Sequence, residues 1–280
     1  MTEALSAVCL ELNNRAESPA IVRAALAGVG QILDLDSELF DDLKTALSEA
    51  CNNVVLYAYD GEPGPYVVGL EIRPDGIGAT VRDWGGGIQQ VGPSEERMGV
   101  GLAVISALAD RAEFISPPDG GTEVRMVFNV RGAAIRSLGV SQDEAPATGA
   151  CVQLSGDVVA TVWPAGLLAG VLGRVARAVA ARTQLSLDRF SDIYLVTDAI
   201  AAFAQSGGSD GAITFAVTGG DRRVELTVGP FPAGDGARLL DGGLSSELGS
   251  PIAVRVGALA LEGVNDFELV RVVIDDRRPR

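Results

Sequence analysis

The chain has 280 residues (28.9 kDa), 47% hydrophobic and 21% charged, a globular composition with room for about two domains. Its formal net charge of −15 opposes phosphate backbones and anionic bilayers, so no direct nucleic-acid partner and no membrane partner is expected, and basic protein surfaces are favoured. It contains no histidine, which excludes a His–Asp phosphorelay donor, a Ser-His-Asp triad and a His-ligated zinc. Lys44 is the only lysine and lies outside any Gly-x-x-x-x-Gly-Lys string, so a Walker P-loop is absent.

Cys9, Cys51 and Cys151 are odd in number and lack metal spacing, which fits a reducing, cytoplasmic setting. The start, MTEALSAVCLELNN, is acidic without a long apolar core, so no secretory signal is expected. The apolar stretch 163–181 is broken by Pro164, Arg174 and Arg177 and reads as a globular amphipathic helix.

In chain order, 7–12 reads as a strand. SPAIVRAALAGVGQIL follows as a helix, with Ser18 as cap and Pro19 at its first position. A second helix begins near Leu39, with Leu43, Ala46, Leu47, Ala50 and Val54 as its apolar stripe. YVVGLEIRP and GIGATVRD form a hairpin. Residues 82–101 are Gly-rich and loop-like, a helix covers 102–110, and RAEFIS and GGTEVRMVFNV close as strands. Helices set against one largely antiparallel sheet define an α+β two-layer sandwich.

Residues 131–150 lose periodicity and read as a linker between domains at 1–130 and 151–280. The second half echoes the first: CVQLSG (151–156) matches the first strand, and GLLAGVLGRVARAVAA and RFSDIYLVTDAIAAFA match the two helices. ITFAVTGGDRRVELTVG matches the hairpin, SPIAVRVGALALE (250–262) matches GVGLAVISALAD, and FELVRVVI matches the closing strand. Two tandem copies are expected.

Four features carry chemistry. Glu49 and Asn53, four apart, share a helix face beside small Ala46 and Ala50; a carboxylate can take a hydroxyl proton and an amide oxygen can bind Mg²⁺. Asp83-Trp84-Gly85-Gly86-Gly87 ends a strand, where the acid can accept from an exocyclic amine and the glycines admit a flat ring. Gly99-Val100-Gly101 precedes a helix, whose free N–H groups suit a phosphate, and Arg97 stands just before it. Gly121-Thr122 precedes the last strand, where the Thr hydroxyl can steady Asp83. Taken singly these fit a solvated helix face, a surface turn, a glycine cap and a solvated loop charge.

In this order the features resemble the GHKL (Bergerat-fold) ATPases over about residues 7–130. The strings IVRAALAGV, DDLKTALSEACNNVVLYAY and ERMGVGLAVISALAD are similar to the anti-sigma-factor serine kinases. The resemblance implies Glu49 as general base, Asn53 as Mg²⁺ ligand, and Asp83, Gly85 and Gly87 as the adenine pocket. It further implies Arg97, Gly99 and Gly101 on the phosphates of ATP, and Thr122 supporting the base. Arg23 would fall on a partner-contact surface. The implied partners are a sigma factor and a STAS-type anti-anti-sigma protein, phosphorylated on serine; a non-catalytic ATP-binding switch is the alternative, and a purely structural protein is a third class.

Tyr57 departs from the family, in which a histidine often follows the helix motif. In the second half Asp198 lies near the Glu49 position, Ala201 and Ala202 near Asn53, Pro230 replaces Asp83, and Gly249-Ser250-Pro251 replaces Gly-x-Gly. Residues 151–280 are therefore expected to bind no nucleotide and to act as a built-in partner in an intramolecular pseudo-dimer. Homodimerisation and a separate partner-binding role remain open.

Overall fold

The computed structural model describes residues 8–73, 75–87, 96–129, 153–206, 211–240, 258–264 and 267–276, with side chains from Val100 onward in the third segment. The chain divides into two compact units, Met1–Asp143 and Glu144–Arg280.

In the first unit, β1 (Val8–Asn13) leads to α1 (Ser18–Leu33) and α2 (Ser37–Asn53), and a π-helical turn follows at Val54–Ala58. The hairpin β2 (Pro65–Arg73) and β3 (Gly76–Asp83) comes next, then α3 (Glu96–Leu108), β4 (Arg111–Ile115) and β5 (Glu123–Asn129). The antiparallel strands run in the order β4-β5-β3-β2-β1. Alternate residues point into the core, namely Val8, Leu10 and Leu12, then Tyr66, Val68 and Leu70, then Ile77, Ala79 and Val81, then Val124, Met126 and Phe128. Ile21, Val22, Leu26 and Val29 of α1 and Leu43, Ala46, Leu47 and Ala50 of α2 cover that face. Their spacing of three and four is what puts them on one side of each helix.

Ser18 does not cap α1. The N-cap is Glu17, without a side-chain cap bond, and the Ser18 hydroxyl instead donates to the Asn13 carbonyl at 2.6 Å. Pro19 takes the expected first-turn place, where a missing N–H costs nothing. Asp36 caps α2 by accepting from the Glu38 and Leu39 amides at 2.9 and 3.4 Å. The larger difference is α3, which starts at Glu96 rather than at residue 102. Gly99, Val100 and Gly101 therefore lie within the helix, at about 1 kcal/mol per glycine relative to alanine. Close packing of Gly101 on α2, described below, offsets that cost.

In the second unit, β6 (Val158–Val162) precedes a 3-10 turn at Ala165–Leu167, α4 (Leu168–Ala180) and α5 (Leu187–Ser206). Then come β7 (Ile213–Gly220), β8 (Arg223–Pro232), the single turn α6 (Asp235–Arg238), β9 (Ala258–Val264) and β10 (Phe267–Asp275). Its antiparallel strands run β6-β7-β8-β10-β9. Of the 151–156 segment expected to open the unit, residues 153–156 are described and form no strand. Asp157 turns its carboxylate onto the Gly219 amide (2.7 Å), and the β-branched run VVATV makes β6. Within SPIAVRVGALALE the described end, from Ala258, is strand rather than helix. The remainder, including Gly249-Ser250-Pro251, lies outside the described residues, as does the 131–150 segment.

Candidate nucleotide site

The acid and amide of α2 meet at one point. A Cβ built on Gly101 would sit 3.3 Å from Glu49 Oε2, 3.3 Å from Asn53 Oδ1 and 3.4 Å from Asn53 Nδ2. Two hard oxygens thus converge on a small space that only the missing side chain of Gly101 leaves open. The i, i+4 spacing aligns the two groups on α2, and α3 closes over them. This is a donor set suited to a divalent cation with a proton acceptor beside it.

Asp83 ends β3 with 3% of its surface exposed. Its Oδ1 accepts from the Gly85 amide at 2.9 Å and the Thr122 amide at 3.3 Å. Among the described residues Oδ2 takes no hydrogen bond, which leaves a charged acceptor for a ligand's amine. Burial pushes the Asp83 carboxyl above its usual range, and the amides of Gly85 and Thr122 and the Arg82 guanidinium pull against that rise. Thr122 supports Asp83 through its backbone rather than its hydroxyl, since its carbonyl also accepts from the Asp83 amide at 2.9 Å.

The glycines of this loop are needed for close approach. A Cβ on Gly85 would lie 1.9 Å from the Ala58 carbonyl oxygen, and one on Gly121 would lie 2.1 Å from the Asp83 carbonyl oxygen. Gly87 and Gly121 also hold φ of +75° and +74°, where other residues are strained. The Ala58 carbonyl accepts from the Gly86 amide at 2.8 Å, which ties the loop to the turn that follows Asn53.

Tyr59 is a site residue that sequence reasoning missed. Its hydroxyl accepts from the Trp84 amide at 3.0 Å and donates to the Pro65 carbonyl, pinning the loop to the start of β2. Its ring lies where Gly64 has no side chain, since a Cβ there would be 2.2 Å from the ring. The Pro-Gly-Pro string at 63–65 is the available signal. Arg82 stacks over Trp84 at 5.0 Å and donates to Asp119 at 2.9 Å, steadying the outer side.

The predicted residues thus fall into two groups: Glu49, Asn53 and Gly101 together, and Asp83, Gly85, Gly87 and Thr122 together. Gly99 and Gly101 are the fourth and sixth residues of α3, one turn into the helix. The side chain of Arg97 lies outside the described residues.

The second unit can be matched to the first by position. Asp34 and Gln184, both left-handed turn residues after the first helix, are 150 apart. At that spacing the buried stripe Leu43, Ala46, Leu47, Ala50, Cys51 and Val54 falls on Ile193, Val196, Thr197, Ile200, Ala201 and Ala204, all buried. On that alignment Glu49 falls on Ala199 and Asn53 on Phe203, just past the Ala201 and Ala202 region expected from sequence. Asp198 is one position off, on the exposed side. Counted from the hairpin turn, Asp83 is the eighth residue of β3 and Pro230 the eighth of β8. Gly234 (φ +89°) then matches Gly87. Phe203 packs edge-on against Phe231 at 6.2 Å, with the Arg238 guanidinium over its ring at 5.9 Å.

The first unit thus offers a helix-borne acid and amide facing a glycine, and a buried strand-end aspartate held by loop amides. The model of the histidine kinase-like ATPase domain matches residues 12–128. The anti-sigma F factor of Oceanobacillus iheyensis is 33% identical over 121 residues, covering 39% of this chain and 83% of that protein. That of Caldanaerobacter subterraneus is 32% identical over 127 residues (42% and 89%), and that of Pasteuria penetrans 33% over 130 residues (42% and 87%). The chain belongs to the GHKL, histidine kinase-like ATPases, in the anti-sigma-factor branch, and is an ATP-binding anti-sigma regulator.

Proposed function

We propose that the first unit is a protein serine kinase that phosphorylates a STAS-type anti-anti-sigma protein and sequesters a sigma factor in the cytoplasm. The convergence of Glu49 and Asn53 on the space beside Gly101 carries this reading. The serine oxygen attacks the γ-phosphorus of ATP, the bond to the β-phosphate oxygen breaks, ADP leaves, and the serine proton passes to the Glu49 carboxylate. Asn53 Oδ1 fits Mg²⁺, which when bound neutralises charge on the phosphates. Asp83 Oδ2 accepts from the exocyclic amine of adenine, Gly85 and Gly87 admit its ring, and Gly99 and Gly101 near the start of α3 are assigned to the phosphates on the family resemblance. Arg97 is assigned to the phosphates on the family resemblance.

The test is transfer of label from γ-labelled ATP to candidate STAS proteins. Loss of about a hundredfold or more is expected for Glu49→Gln, with ATP affinity retained. Equal transfer by both proteins would refute the assignment of the base. The second reading is a switch that binds ATP and releases a partner without transfer. ATP binding with no transfer to any substrate would establish it.

The second unit is proposed to be a degenerate copy that binds no nucleotide. Ala199, Phe203 and Pro230 supply neither acid, metal ligand nor adenine acceptor, and Phe203 fills space with Phe231 and Arg238. Its role as an intramolecular partner stays part of this proposal.

A further inference from the structure

The turn between the π-helical segment and β2 is fastened on two sides. Asp60 (φ +49°) and Gly61 (φ +85°) are both left-handed, so neighbours must hold the turn in shape. On one side it carries the nucleotide loop. The Tyr59 hydroxyl accepts from the Trp84 amide at 3.0 Å, and the Ala58 carbonyl accepts from the Gly86 amide at 2.8 Å. On the other side it meets Asn14, the residue just after β1.

Asn14 makes three hydrogen bonds to this turn. Its amide donates to the Gly64 carbonyl at 2.9 Å, its Oδ1 accepts from the Gly64 amide at 2.8 Å, and its Nδ2 donates to the Glu62 carbonyl at 2.9 Å. Strand register explains why a side chain is used. Pro65 stands opposite Asn13 and has no N–H to give the β1–β2 ladder, and the Asn14 side chain supplies a tie just beyond it. Gly64 is buried against the Tyr59 ring, which a Cβ there would approach to 2.2 Å. A buried amide that loses its acceptor is costly, so Asn14 holds Gly64 firmly, and Gly64 seats the ring.

We propose that Asn14 is a positioning residue of the nucleotide site, acting through Gly64 and Tyr59 on the loop that holds Asp83. Fixing Gly64 fixes the seat of the Tyr59 ring, and the ring sets where its hydroxyl meets the Trp84 amide. Trp84 leads directly to Gly85, whose amide holds Asp83 Oδ1 at 2.9 Å. The inference rests on the nucleotide reading of the first unit, and its test separates the two.

Amide hydrogen exchange of the full chain without nucleotide reads the fastening. Exchange at Trp84 and Gly86 is expected to quicken about fivefold or more in Asn14→Ala. Calorimetric titration reads the consequence, with ATP bound about fivefold or more weakly by Asn14→Ala. Asn14→Asp keeps the acceptor for the buried Gly64 amide and loses only the bond to the exposed Glu62 carbonyl, so its ATP affinity stays within about twofold of the parent. Tyr59→Phe should lose a similar factor to Asn14→Ala, and the double variant little more than either alone, because the two act in series. Asn14 is only half-buried, so its replacement leaves the core intact, which circular dichroism checks. Parent-like exchange or ATP affinity in Asn14→Ala, no recovery in Asn14→Asp, or losses that multiply in the double variant overturn the proposal. A parent that binds no ATP overturns the nucleotide reading and this inference with it, whereas ATP binding indifferent to Asn14 overturns this inference alone.

Discussion

Replacing Asp83 with Asn keeps the shape of the side chain and exchanges one acceptor for a donor. The Asn oxygen still accepts from the Gly85 and Thr122 amides, now at 2.9 and 3.3 Å from Oδ1, and its Nδ2 takes the place of the free Oδ2. An adenine amine there meets a donor instead of a charged acceptor. A hydrogen bond to a charged group contributes about 1.5–3 kcal/mol, and about 1.4 kcal/mol is tenfold, so ATP affinity falls about ten- to a hundredfold. Stability moves the other way. Burial raises the Asp83 pKa, so folding binds its proton more tightly than the unfolded chain does and the ionised form destabilises the native state. At pH 7 the Asn protein is therefore as stable as the parent or more so, and the parent regains ground as pH falls toward the native pKa of Asp83. Calorimetric titration with ATP and thermal unfolding at pH 7 and pH 5 read both effects. ATP affinity within about threefold of the parent, or a variant that unfolds earlier at pH 7, refutes the reasoning.

Gly85→Ala brings a methyl 1.9 Å from the Ala58 carbonyl oxygen, so the loop or the turn must move. A cost of about 2 kcal/mol, or about 5 °C in thermal unfolding, is expected together with weakened ATP binding. Calorimetry should give one ATP per 280-residue chain, and two equivalent sites would refute the degenerate reading of the second unit. Burial pushes the Cys51 thiol up to about 12, and burial with Glu11 pushes Cys9 up to about 11. In a Cys151→Ser background the native protein should resist iodoacetamide at pH 8, whereas the unfolded chain reacts promptly. Labelling of Cys51 at the unfolded rate would contradict its burial.

The strands and helices of the first unit were legible because each buries one face. Period two in β2 and β3 and spacing of three and four in α2 were enough to place Glu49 and Asn53 on one side of a helix and Asp83 at a strand end. Ser18 was misread because a hydroxyl before a helix can also bond the preceding strand, and only the position of Asn13 decides which. The start of α3 was misread because glycines mark loops in sequence, while here packing against α2 outweighs their propensity. In the second unit the side of α5 that faces inward is fixed by the buried stripe of Ile193, Val196, Ile200 and Ala204.

Local sequence by itself determined that the chain holds no histidine and no Walker string, where most helices and strands of the first unit lie, and which acid, amide and glycines are available. Tertiary structure alone decided that Gly101 faces Glu49 and Asn53, that Thr122 holds Asp83 through its backbone, that Tyr59 pins the loop, and that Arg177 stacks on Tyr194. Periodicity reports which side of an element is apolar. Contacts between elements distant in the chain depend on how those sides pack, which no local pattern encodes.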